Sequence, residues 1–321
     1  METDAFGRPL SQDPRFSNST GRRPAPENTI GADGFDSTLT PEANIRVAIG
    51  VDEDGGFLRL GDTDPLKLPL RTTVATTIRD LMEHGGDRTV LDTLIRAMNQ
   101  PVLAEDDAIL AALAPYRWIL ERARDGLPLT TAGYLKPADV TTLADLLPAA
   151  KQWFGKKNRE DHTRPVAEFR QMMMRFRLLR KYKGTLRLTA HGKRALADPQ
   201  WLWHWLGLQV LDAALSGAGR DAIIIDLVFT AAGRRAKRDF VAGMLTMIGW
   251  RFTDGSPIDE WSVLRLTDPY AAVMTSLGEE SWGFLRDKQV SLVERTFALN
   301  AITLPETADF LAGEDSQPSS R

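Results

Sequence analysis

Residues 162–199, HTRPVAEFRQMMMRFRLLRKYKGTLRLTAHGKRALADP, constrain the fold more than any other stretch of the chain. Pro165 suits the first turn of a helix, where a missing N–H costs nothing. Val166, Phe169, Met172 or Met173 and Phe176 then recur at three- and four-residue steps, so the spacing predicts a helix with one apolar face. Arg170, Gln171 and Arg175 are assigned to the opposite, exposed face. Two strand patterns, 178–182 and 185–189, flank Lys183-Gly184, and Gly184 can supply the positive φ of a tight hairpin. Leu186 and Leu188 alternate with Arg187, so one side of the second strand is buried and the other is basic. Thr189 can cap a helix running through Leu196, with Pro199 just beyond its end.

Charge sets the same stretch apart. From Arg164 to Arg194 there are ten Lys and Arg against one acid, Glu168, a local +9 inside a chain whose net charge is −3. So steep an asymmetry in an acidic protein points to an anionic partner. A helix, a basic hairpin and a capped helix in this order outline a winged helix-turn-helix. In that arrangement the helix before the hairpin enters the major groove, where Arg reads guanine and Gln reads adenine, and the wing meets phosphates. The candidate nucleic-acid contacts are therefore Arg170, Gln171 and Arg175 on the helix, Lys181, Lys183 and Arg187 on the wing, and Lys193 and Arg194 on the next helix.

The outline returns later in the chain. Residues 221–231 and a segment from Arg235 read as helices, Trp250-Arg251-Phe252 starts a strand, 254–257 turns, and 261–266 returns as the second strand. Leu264-Arg265-Leu266-Thr267 repeats Leu186-Arg187-Leu188-Thr189, again before a helix that the Thr can cap. Arg234, Arg235, Lys237 and Arg238 crowd the start of the corresponding helix. Four cations there oppose the helix dipole, and an anionic ligand would explain them.

The rest supplies scaffolding. Residues 1–41 are rich in Pro, Gly, Ser, Asn and Asp without periodicity and are expected to be a disordered tail. Residues 42–126 read as a hairpin around the acidic turn 52–56, then three helices, the third broken or kinked at Pro115. The acidic turn lacks the ligand and glycine spacing of a calcium loop. Residues 127–199 form the first winged unit, 200–216 a linking helix, 217–304 the second unit with a final helix, and 305–321 a tail. Trp201, Trp203 and Trp205 lie on the linking helix, which is apolar on nearly every side and is assigned to the core between the two halves rather than to a base-stacking platform.

No chemistry is legible. There is no cysteine, which excludes disulfides and thiolate catalysis and fits a reducing compartment. His84, His162, His191 and His204 form no zinc-binding spacing, and no phosphate loop, dinucleotide fingerprint or nucleophile elbow occurs. No apolar leader or bilayer-length run is present. The expectation is a cytoplasmic, non-enzymatic protein without cofactor or metal and without membrane contact.

Three segments carry a resemblance: LTTAGYLKP at 129–137, NREDHTRPV at 158–166 and LRKYKGTLRLT at 179–189. Together they resemble an uncharacterised actinobacterial family, in some members of which a similar region follows a plasmid-encoded domain of the pRiA open-reading-frame type. The resemblance spans about 127–206. It implies a plasmid or mobile-element association and transfers no catalytic residue; the first hundred residues do not match the plasmid-type domain. The sequence thus predicts a mainly α (α+β) protein of tandem winged-helix-like units with small β-hairpins. It predicts binding to double-stranded DNA, or alternatively a protein-interaction adaptor using the same surface.

Overall fold

The structure is a computed structural model that describes residues 70–85, 88–99, 103–151, 153–214, 216–278 and 289–303. The hairpin expected around 52–56 and both tails lie outside the described residues. Within them the chain is mainly helical, with one small antiparallel sheet of three strands.

The elements run α1 (Thr72–Gly85), α2 (Thr89–Asn99), α3 (Asp106–Ala112), α4 (Ala114–Arg122), β1 (Leu127–Pro128), α5 (Pro137–Leu146) and α6 (Pro148–Lys151). A 3-10 turn (Glu160–His162) leads into α7 (Arg164–Arg175), β2 (Leu179–Tyr182), β3 (Thr185–Leu188) and α8 (Ala190–Ala197). Then come α9 (Pro199–Asp212), α10 (Gly217–Ala231), α11 (Arg238–Met247), α12 (Glu260–Leu266), α13 (Asp268–Leu277) and α14 (Leu292–Thr303). Pro115 divides the helix expected before Gly126 into α3 and α4, because proline's ring clashes with the preceding turn.

The sheet has strand order β1-β3-β2. Tyr182 pairs with Thr185 across the two-residue turn Lys183-Gly184, and both turn residues have positive φ, 47° and 72°. That is the signature of the primed turn whose twist matches a hairpin. Leu127 pairs with Leu186, so β1 closes the far edge of β3. Leu179, Leu186 and Leu188 face the core.

α7 buries Val166, Phe169, Met172, Met173 and Phe176, with Phe169 edge-on to Tyr116 of α4 at 4.9 Å. α9 is buried almost throughout, Trp201, Trp203 and Trp205 each exposing 5% or less, and the Trp205 Nε1 donates to the Phe176 carbonyl at 2.8 Å. It packs on α8 at one side and on α10, α13 and α14 at the other, the central position predicted for a helix apolar all round.

The second half departs from the expected repeat. Residues 260–266, predicted to return as a strand, form α12. Asp259 caps it, its carboxylate accepting from the Ser262 N–H at 2.7 Å, and Ser262, Val263 and Leu266 turn inward with helical spacing. The only pairing left of the predicted hairpin, among the described residues, is an isolated bridge between Arg251 and Pro257. Proline has no N–H to extend a ladder. The second unit is therefore helical, without a wing.

Candidate nucleic-acid interface

The hairpin leaves its cations exposed but not on one face: Lys181 pairs with the buried Leu186, on the side opposite Arg180 and Arg187. Lys181, Lys183 and Arg187 are exposed, as is Arg180. Arg180 lies directly opposite Arg187 across the ladder, on the outward face. Tyr182 shares that face, and the Arg180, Lys183 and Arg187 cationic groups stand 5.4, 5.3 and 5.6 Å from its ring centroid. Each contact with the ring is mildly attractive. The cations repel one another, and like charges directly opposite in a ladder destabilise it. Among the described residues none of Arg180, Lys181, Lys183 and Arg187 makes an ion pair.

Arg177 adds to this surface and escaped the sequence reading. It is exposed and has φ of 56°, at the end of α7 where the Leu178 N–H returns to the Met173 carbonyl at 3.0 Å. Glycine normally occupies that left-handed position, and a side chain there costs about 1 kcal/mol. Thr189 then launches α8 as predicted, accepting from the Gly192 N–H at 3.0 Å. Lys193 and Arg194 are exposed on α8, Arg194 standing 5.2 Å over the Trp201 ring. Gly192 lets α8 reach the hairpin: a Cβ added there would lie 2.0 Å from the Leu178 carbonyl oxygen.

Arg170 does not belong to the surface. It is buried, and its Nε donates to Glu160 at 2.5 Å, the two side chains exposing 11% and 0%. The Glu160 carboxylate also accepts the Leu135 N–H at 2.6 Å, so this pair ties α7 to the loop before α5. Arg170 follows Val166 by four residues and so flanks the buried stripe. Glu160 lies in a polar run that reads as linker, and nothing in the sequence pairs it with Arg170.

Gln171 is exposed and Arg175 half-buried, on one stripe with Arg164 and Glu168, which pair at 2.5 Å. That stripe faces α12 and α13 across a cleft of about 220 Å³. The opposite wall includes Arg238, Trp261, Leu264, Asp268, Pro269 and Thr275. α7 also packs directly on α13, and Tyr116 of α4 shares a hydrogen bond with Ser276 of α13. The face of α7 assigned to the major groove is thus lined by protein across a cleft, with Gln171 left exposed on it. The cleft, with its exposed Trp261, left no trace in a sequence read as a strand at that point.

The four cations around the start of α11 separate. Arg235 pairs with the buried Glu294 of α14 at 2.5 Å, so its charge is spent inside the protein. Arg234 and Lys237 are exposed and Arg238 is half-buried, with no ion pair among the described residues. His191 stacks on Trp205 at 4.3 Å, and His162 is exposed beside Asp161. No group of three or more metal-ligating side chains occurs among the described residues, and no helix there is long and apolar enough to cross a membrane.

Comparison with protein-family models, with curated proteins and with solved structures returned no match.

Proposed function

We propose that the chain binds double-stranded DNA, and that it does so through the hairpin and α8 rather than through α7. The observation that carries this reading is the outer face of the hairpin, where Arg180 and Arg187 oppose each other beside Tyr182 without an ion pair among the described residues. Folding gains only weak contacts with the Tyr182 ring from that arrangement, whereas a phosphate between the two guanidinium groups would turn repulsion into charge-assisted hydrogen bonding. The order α4-β1-α5-α6-α7-β2-β3, with strand order β1-β3-β2, resembles a winged helix with a short extra helix, α6, inserted, and supports the same reading. Here the wing leads. It contacts backbone, so the binding is expected to be tight at low salt and weakly sequence-selective.

The test is a titration of fluorescent duplex at several salt concentrations. With Arg180, Lys183, Arg187, Lys193 and Arg194 on phosphates, log K should fall against log salt with a slope of about −4 to −5. The double variant Arg180→Ala/Arg187→Ala should bind more weakly and lose about 2 from that slope. Gln171→Ala should leave both unchanged. A flat salt response, or no binding at low salt, rejects the reading and favours an acidic protein partner for the same surface. A loss of sequence preference in Gln171→Ala would return base reading to α7.

A further inference from the structure

We propose that the cleft between α7 and the α12–α13 pair is a binding site for a small monoanion with a flat apolar body, an aromatic carboxylate being the chemistry that fits it. The proposal does not rest on the DNA-binding reading.

Three cations and two acids line the cleft, which leaves one cation over. Arg164 is engaged by Glu168 at 2.5 Å. Arg175 and the nearby Arg265 attract the Asp268 carboxylate through space. Arg238, the first residue of α11, lines the cleft with no acid paired to it, and its Nε is enclosed without a hydrogen-bond partner among the described residues. A partly desolvated, unpaired guanidinium is costly. Its place at a helix N-terminus, where the dipole favours anions, adds to the cost. One carboxylate would relieve both, and a guanidinium can grip it with two parallel hydrogen bonds.

The walls define the rest of the ligand. Trp261 exposes 67% of its surface and Leu264 38%, and both line the cleft with Met172 and Pro269. α12 could have buried the indole and did not, as Ser262, Val263 and Leu266 take its inward face. An exposed tryptophan beside an unpaired arginine offers stacking and a counter-charge together.

Asp268 makes the site pH-sensitive. The residue as a whole is exposed, yet its carboxyl is crowded by the surrounding protein. That crowding, with Glu168 adding, pushes its pKa up to about 6 against the pull of Arg175, Arg164 and Arg265. Arg238 is the remaining charged group on the cleft. Above pH 6 the Asp268 carboxylate repels an anionic ligand; below it the repulsion is gone.

Calorimetry of the full chain with 1-naphthoate and with neutral 1-naphthamide tests the proposal. The acid should bind at one site per chain, and the amide about tenfold or more weakly. Arg238→Gln should erase the preference and Arg238→Lys should keep part of it. Trp261→Ala should weaken both probes alike. Naphthoate should bind several-fold more tightly at pH 5.5 than at 7.5, and Asp268→Asn should remove that difference. Retained melting transitions show that the variants fold. Equal affinity for the two probes, binding of neither, or a preference that survives in Arg238→Gln overturns the proposal.

Discussion

Leu-Arg-Leu-Thr occurs at 186–189 and again at 264–267, and the two copies fold differently. In the first, Leu186, Arg187 and Leu188 are strand, and Thr189 caps α8 by accepting from the Gly192 N–H. In the second, Leu264, Arg265 and Leu266 are helix, and Thr267 donates back to the Val263 carbonyl at 2.9 Å instead of capping α13. The neighbours decide. The first copy has a turn with two positive-φ residues and β1 waiting to pair with Leu186. The second has a cap at Asp259 and a Pro257 that can bridge only once. Four residues hold too little free energy to choose between strand and helix; the partners for their backbone groups make the choice.

The cations divide as well, though not cleanly between the halves, since Arg234 and Lys237 are also exposed without an ion pair among the described residues. Around the first copy Arg180, Lys183 and Arg187 stand outward without ion pairs among the described residues, while in the second half Arg235 is bound to Glu294. A surface kept charged at a cost to folding suggests binding, and one neutralised internally suggests architecture.

The largest effect that would break this division concerns Arg170, which belongs to architecture although it sits in the basic stretch. Glu160→Ala leaves its guanidinium buried and unpaired, and should cost about 3–5 kcal/mol in urea unfolding. A cost near zero would return Arg170 to the surface set. Next, Gly192→Ala forces α8 away from the Leu178 carbonyl and should cost about 1–3 kcal/mol. No change in the midpoint would mean that α8 does not seat against the hairpin.

Asp259→Ala removes the cap that makes the second copy a helix, at about 1 kcal/mol. The hydrogen bond it accepts from the Ser262 N–H holds the Asp259 pKa below the ordinary value. A depressed carboxylate contributes stability that is present above the unfolded pKa near 3.9 and is lost as pH falls through the lower folded one. The deficit of Asp259→Ala relative to the parent should therefore shrink under acid; a pH-independent deficit excludes the carboxylate as its source. Smallest in stability is Arg177→Gly. Relief of the left-handed strain, less the entropy of an added glycine, should stabilise the protein by about 0.5 kcal/mol. The same change should weaken duplex binding. If binding is unaffected, the strain at Arg177 serves something else.

The apolar stripe of α7, the turn at Gly184, the cap at Thr189 and the burial of the three tryptophans on α9 were legible because each depends on residues within about one turn or one hairpin. The exposure of Arg187 on the hairpin was legible for the same reason: alternation with Leu186 and Leu188 fixes its side. Arg170 was not, since its partner Glu160 reaches it through a fold of the chain that no local period records.

What the sequence determined by itself is local geometry and charge: a mainly helical chain with one tight basic hairpin, because spacing and turn chemistry act over a few residues. Tertiary structure alone decided that Arg170 is sealed against Glu160, that 260–266 is helix, and that α7 faces a walled cleft rather than open solvent. Each of these turns on which distant backbone or carboxylate meets a given group, and burial makes that partner worth more than any local preference.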